Sequence, residues 1–201
     1  MPEGEPPPIS WAIAGRPLEG EELSGDMYVA RETPSGALLA VIDGLGHGPE
    51  AALAAEAAVE VLTARPQAPV GALVEDCHRA LKRTRGAAIT VVAVDASARR
   101  LDWIGVGNVE GRLLRASTED RQPAQSLLLR AGVVGYRMPP VRVATESMEP
   151  GDLLVLASDG LDPAFGEAVY PQADLQEIAD ELLARHGKPI DDAMVLVARL
   201  T

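Results

Sequence analysis

The chain has 201 residues, with 18 Lys and Arg against 30 Asp and Glu, a formal net charge of -12. That balance argues against a nucleic-acid binder or a protein held on an anionic membrane, because both need a basic face. Hydrophobic residues make up 47% and aromatics only 3%, so a single globular core of Ala, Val, Leu and Ile is expected.

Residues 1–8 are acidic and Pro-rich and read as a flexible lead-in to one domain spanning 9–201. They carry neither the basic nor the apolar region of a signal peptide, and the longest apolar run, Ala87 to Val94, is too short to span a bilayer. A cytoplasmic protein is expected. Ile9 to Leu18 and Met27 to Glu32 read as strands. The turn Pro34-Ser35-Gly36 leads into Ala37 to Ile42, a continuous apolar run of buried-strand type that stops at Asp43-Gly44.

Pro49 suits the first turn of a helix. The helix expected over Ala51 to Arg65 would turn Leu53, Ala57, Val61 and Leu62 to one side. Pro66 and Pro69 separate it from a second helix, Val70 to Arg83. Strands are expected at Ala87–Asp95, Leu101–Val106, Gly111–Ala116, Ser126–Leu129, Val141–Ser147, Leu153–Ser158 and Met194–Leu200. A third helix, Asp174 to His186, begins on a capping Asp174 and closes at Gly187. Strands and helices do not alternate regularly. The class is therefore α+β, two layers of mainly antiparallel sheet covered by helices.

Several carboxylates share a local pattern. Asp26 follows Ser24-Gly25 at a strand entry, Asp43 and Asp159 each follow an apolar strand and precede Gly, and Asp191-Asp192 opens the last strand. Any one of these is an ordinary turn or cap residue. Their repetition at strand ends would gather carboxylates at one sheet edge, where they repel one another unless protons or cations intervene. With one cysteine, Cys77, and three histidines, disulfides and Cys zinc clusters are excluded, and all-oxygen ligation favours Mg²⁺ or Mn²⁺.

The stretch Asp43-Gly44-Leu45-Gly46-His47-Gly48-Pro49 allows close backbone approach before a helix. A phosphate loop would need Gly-Lys-Ser/Thr, and a dinucleotide loop would need Gly where Pro49 stands. Nucleotide binding is disfavoured on both counts.

Taken in order, Ser24-Gly25-Asp26, Val41-Ile42-Asp43-Gly44-Leu45-Gly46-His47-Gly48, Leu156-Ala157-Ser158-Asp159-Gly160-Leu161 and Asp191-Asp192-Ala193-Met194-Val195-Leu196-Val197 resemble the metal-dependent Ser/Thr phosphatases of the protein phosphatase 2C superfamily. The Asp-Gly-Leu-Gly-His-Gly form before an Ala-rich helix is most similar to the SpoIIE-type bacterial branch. The nearest in form are its short, stand-alone stressosome phosphatases. The resemblance implies a four-layer αββα sandwich with two Mn²⁺ (or Mg²⁺) ions at one edge. By motif position Asp43 would bridge both ions, the Gly44 carbonyl and Asp26 would serve one, and Asp159 and Asp192 the other. Asp43 and Asp159 would be the catalytic carboxylates, with His47 and Asp191 beside the ligands.

The resemblance further implies a phosphoserine/phosphothreonine protein phosphatase in which a metal-activated water attacks phosphorus. Phosphorylated STAS-domain proteins of a stressosome are its implied substrates, and a monomer is expected. The alternatives are a SpoIIE-like enzyme acting on a phosphorylated anti-anti-sigma factor, a catalytically silent partner-binding homologue, and a hydrolase of small phosphoesters. Leu45 stands where the eukaryotic branch has His after Asp-Gly, so no general acid is assigned. The residue gripping the phosphate is also unassigned, with Arg16 a weak candidate. The connection Ser117 to Gln125 is too short for the flap of some bacterial relatives.

Overall fold

The computed structural model describes residues 9–116, 124–166 and 172–201. The expected lead-in at 1–8 and most of the short connection at 117–123 lie outside the described residues. Among the described residues ten strands and three α-helices follow one another as β1 (Ile9–Arg16), β2 (Asp26–Thr33), β3 (Gly36–Gly44), α1 (Pro49–Ala64), α2 (Val70–Ala80), β4 (Ala87–Asp95), β5 (Arg100–Val106), β6 (Glu110–Leu114), β7 (Gln125–Ser126), β8 (Ala144–Ser147), β9 (Leu153–Ala157), α3 (Leu175–His186) and β10 (Ala193–Leu200). One sheet runs β1-β10-β9-β6-β7 and the other β2-β3-β4-β5-β8. Every pairing between named strands is antiparallel.

The burial pattern explains the layers. In β3, Leu38, Ala40 and Ile42 pack with Ala55, Ala58 and Leu62 of α1 and Leu73, Val74 and Cys77 of α2. Their alternates, Leu39 and Val41, pack between the sheets against Leu154, Leu156, Leu196 and Ala198. The outer residues Val155, Val195 and Val197 meet Leu175, Ile178, Ala179 and Leu182 of α3. A strand covered on both faces must be apolar throughout, which is why β3 reads as an unbroken hydrophobic run. The result is the αββα sandwich. Cys77 lies in this core, and burial pushes its thiol up to about 12, so it is inert.

The sequence reading is altered at identifiable places. β1 ends at Arg16 because Pro17 has no N–H to continue the ladder. β7 keeps only two residues, Leu127 instead donating its N–H to the Gly111 carbonyl. β8 begins only at Ala144, after Pro139-Pro140. α1 buries Ala51, Ala52, Ala54, Ala55, Ala58 and Leu62, and Leu53 is 59% exposed. Alanine lets the start of α1 press on Gly44, where a methyl group would run into the Ala51 carbonyl; the bulkier Leu53 turns outward. α3 follows expectation: the Asp174 carboxylate accepts the N–H groups of Gln176 and Glu177. Among the described residues no helix is long and apolar enough to cross a membrane.

Candidate metal centre

Antiparallel register brings the sequence-separated carboxylates together. Asp26 at the start of β2 lies directly across from Asp43 near the end of β3. In the other sheet Ala157 lies across from Val195, so the chain leaving β9 at Ser158-Asp159 meets the chain entering β10 at Asp191-Asp192. Asp43 continues the row Leu39 and Val41 that faces the second sheet. Gly160 packs on the Asp192 backbone so closely that any Cβ would collide with the Asp192 carbonyl. The ends of β9 and β10 are thereby locked side by side.

Ser158 joins them. Its hydroxyl donates to Asp26 Oδ2 at 2.6 Å and accepts the Met194 N–H at 3.0 Å. Asp192 is buried, and each of its oxygens accepts a backbone N–H at 2.8 Å, from Leu18 and from Gly25. Its carboxylate therefore holds the β1–β2 connection. Asp191, half-buried, spends one oxygen on the Asp192 N–H at 3.0 Å. Asn108 donates its amide N–H to Asp159 Oδ2, and the Lys188 ammonium donates to the Asp159 carbonyl at 2.6 Å.

The electrostatics follow from burial and crowding. Burial, with repulsion from Asp192, Asp159 and Asp191, pushes Asp26 from 3.8 up to about 7 against the opposing Ser158 hydrogen bond. Burial and then repulsion from Asp26, Asp159, Asp191 and Asp192 push Asp43 to about 8. Asp191 is also raised, by burial and by Asp159, while Lys188 works the other way. No hydrogen-bond donor or cation reaches the Asp43 carboxylate among the described residues.

A half-buried carboxylate without a protein partner, crowded by four others and a backbone carbonyl, is a donor set suited to hard divalent cations. No three Asp, Glu, His or Cys side chains among the described residues already surround one point as an ion would require; like charge opposes that closer approach.

Other expected residues sit elsewhere. The His47 ring pairs with the Glu21 carboxylate at 2.8 Å and is exposed. Arg16 donates to the backbone carbonyls of Lys188 and Asp191, so it braces the 188–191 turn and does not present a free fork to a phosphate. Ser158 and Lys188 are not among the site residues expected from the sequence. For Ser158 a signal existed: it continues the inward row Leu154, Leu156.

A family model described as Stage II sporulation protein E (SpoIIE) matches residues 33–201. Phosphoserine phosphatase RsbX of Bacillus subtilis (strain 168) is 24% identical over 184 residues, 91% of this chain and 90% of that protein. Among solved structures, a chain described under "The bacterial stressosome: a modular system that has been adapted to control secondary messenger signaling" superposes with a TM-score of 0.85 at 31% identity, covering 95% of this chain and 99% of that one. RsbX in complex with magnesium superposes with a TM-score of 0.85 at 23% identity, over 96% of each chain.

Proposed function

The chain belongs to the SpoIIE family, within the protein phosphatase 2C superfamily, and from that premise we propose that it is a metal-dependent phosphoserine/phosphothreonine protein phosphatase. The observation that carries this reading is the half-buried Asp43, without a protein donor among the described residues, set among four further carboxylates at one edge. Asp43, the Gly44 carbonyl and Asp26 would hold one divalent cation, Mn²⁺ or Mg²⁺. Asp43 and Asp159 would hold a second with Asp191, which keeps one oxygen free of any protein donor among the described residues, in preference to the expected Asp192, whose two oxygens each accept a backbone amide but keep a further acceptor site. Bound cations supply charge for the phosphoryl oxygens and lower the pKa of a water.

The chain's own residues set the geometry for that chemistry. Ser158 orients Asp26, Asn108 orients Asp159, and Asp192 fixes the loop that carries Gly25. Arg16 and Lys188 shape the turn that presents Asp191. Lys188 also offsets negative charge beside Asp159 and Asp191. With a net charge of -12, the protein would repel a phosphate unless cations lay at this edge.

The substrate reading is a phosphorylated STAS-domain protein of a stressosome, supported by the likeness to RsbX and to the stressosome chain. The test is phosphate release from such a phosphoprotein with Mn²⁺, with chelator, and with Asp43→Asn. Release that requires the cation and is lost in the variant supports the proposal. A folded protein that binds the partner but releases nothing under any metal is a silent binding homologue, and hydrolysis of free phosphoserine alone marks a small-molecule enzyme.

A further inference from the structure

From Ala124 to Thr145 the chain has three arginines, Arg130, Arg137 and Arg142, and no Asp or Glu, in a protein of net charge -12. Elsewhere Arg65, Arg79, Arg85 and Arg99 are each paired with a carboxylate. None of the three has an ion pair or side-chain hydrogen bond among the described residues. Large apolar side chains are exposed beside them: Leu128 at 74%, Tyr136 at 83% and Val143 at 47%. A run of bare positive charge mixed with exposed apolar surface is the composition of a protein-binding face.

This segment is fastened along the edge that carries the carboxylates. Arg130 exchanges backbone hydrogen bonds with Gly105 and Gly107 at 3.1 and 2.9 Å, and Val134 pairs with Ala87 through two more at 3.0 and 2.9 Å. Ala87 is itself the strand partner of Gly44, so Val134 lies two strand spacings, about 10 Å, from the proposed ligand carbonyl. Gly107 precedes Asn108, which grips Asp159. Between Arg130, bonded beside the end of β5, and Ala144, the first residue of β8, a cleft of about 190 Å³ opens. Trp103 and Ile104 line it together with Leu128 and Val143, flanked by Arg130 and Arg142.

We propose that this cleft docks an acidic segment of the phosphoprotein substrate next to its phosphorylated residue, Asp or Glu side chains meeting Arg130 and Arg142 and one apolar side chain entering between them. The proposal rests on the phosphatase reading and adds to it a substrate preference. Charge complementarity selects the occupant: the rest of the surface repels acidic chains, and screening over a Debye length of about 8 Å keeps that repulsion local. The backbone anchors on Gly105 and Gly107 hold Arg130 in place without pairing its side chain.

The experiment uses the full chain with Mn²⁺ and short phosphoserine peptides flanked by Asp/Glu, by Ala or by Lys. The expected kcat/KM is about 10-fold higher for the acidic peptide than for the Ala peptide, carried by KM and lost at high salt. The double variant R130E/R142E should abolish or invert that order while leaving p-nitrophenyl phosphate hydrolysis unchanged, and R130K/R142K should retain it in part. R137E/R142E, which touches only exposed side chains, guards against a folding effect from half-buried Arg130. Equal kinetics on all three peptides, or a parallel loss on p-nitrophenyl phosphate, overturns the proposal. If the wild type hydrolyses nothing, the phosphatase reading fails separately, and fluorescence anisotropy with the labelled acidic peptide still decides the docking site. Binding weakened about 10-fold in R130E/R142E supports it; no binding, or equal competition by single-stranded DNA, overturns it.

Discussion

The Ser158 hydroxyl donates a hydrogen bond of 2.6 Å to Asp26 Oδ2; Asp26 opens β2 of one sheet and Ser158 directly follows β9 of the other. The same oxygen accepts the Met194 N–H. One hydroxyl thus spans the sandwich at the edge where the carboxylates gather. Replacing it by Ser158→Ala should cost about 1–3 kcal/mol of stability, because a buried carboxylate and a buried amide each lose a partner. Asp26 should also hold its proton more tightly, since this bond is what lowers its pKa. Urea unfolding of the metal-free variant gives the first quantity. Calorimetric titration with Mn²⁺ should show weaker binding than the wild type; unchanged values in both would remove Ser158 from the site.

Stability without divalent ions should fall as pH rises. Asp26 and Asp43 keep their protons to about pH 7 and about pH 8 in the folded protein, against 3.8 for an ordinary aspartate. The folded state therefore binds more protons than the unfolded chain between those limits. Their contribution is complete below about pH 4 and is lost as pH climbs through 7 to 8. Each proton is worth at most about 1.4 kcal/mol per pH unit within that window. Scanning calorimetry of the chelated protein should give a lower Tm at pH 8 than at pH 5, and excess Mg²⁺ should raise Tm more at the higher pH. A Tm that rises from pH 5 to pH 8 in chelator would contradict these shifts.

Neighbouring aspartates should behave differently. Asp192→Asn keeps the shape but turns one of the two acceptor oxygens into an NH2 donor, leaving either the Leu18 or the Gly25 N–H without its acceptor. It should lower stability by about 1–2 kcal/mol, half or more of a charged hydrogen-bond pair. Asp191→Asn, half-exposed, should leave stability nearly unchanged or improve it by easing repulsion with Asp159. Mn²⁺ affinity should fall more for Asp191→Asn than for Asp192→Asn. The reverse order would return the ligand role to Asp192.

Gly44→Ala adds a methyl group that meets the Ala51 carbonyl at the start of α1. The helix or the strand must move, at a cost of about 1–3 kcal/mol. Because the Gly44 carbonyl lies beside Asp43, metal affinity should drop as well. Chemical denaturation and Mn²⁺ titration on the same preparation separate the two effects, and a variant as stable as the wild type would mean that the contact relaxes freely.

The sandwich was legible where burial leaves one solution. β4 spans Ala87–Asp95 in both readings, and Asp43 and Asp159 stand out because apolar strands run into each of them. Local pattern failed where a neighbour's packing decides. Leu53 belongs to the apolar side of α1 by periodicity, yet the approach of Gly44 admits only alanines at that end. Arg16 looked free because its partners, the carbonyls of Lys188 and Asp191, lie over 170 positions away in the chain.

The carboxylates are divided between the two sheets, Asp26 and Asp43 on one and Asp159, Asp191 and Asp192 at the ends of strands from the other. The edge therefore works as a caliper set on the thickness of the inner core. A change deep between the layers, such as Leu39→Ala opposite Leu154 and Leu156, alters the jaw opening without touching any charged residue. Its first symptom should be loosened ion binding, read well below the denaturant concentration at which the domain comes apart.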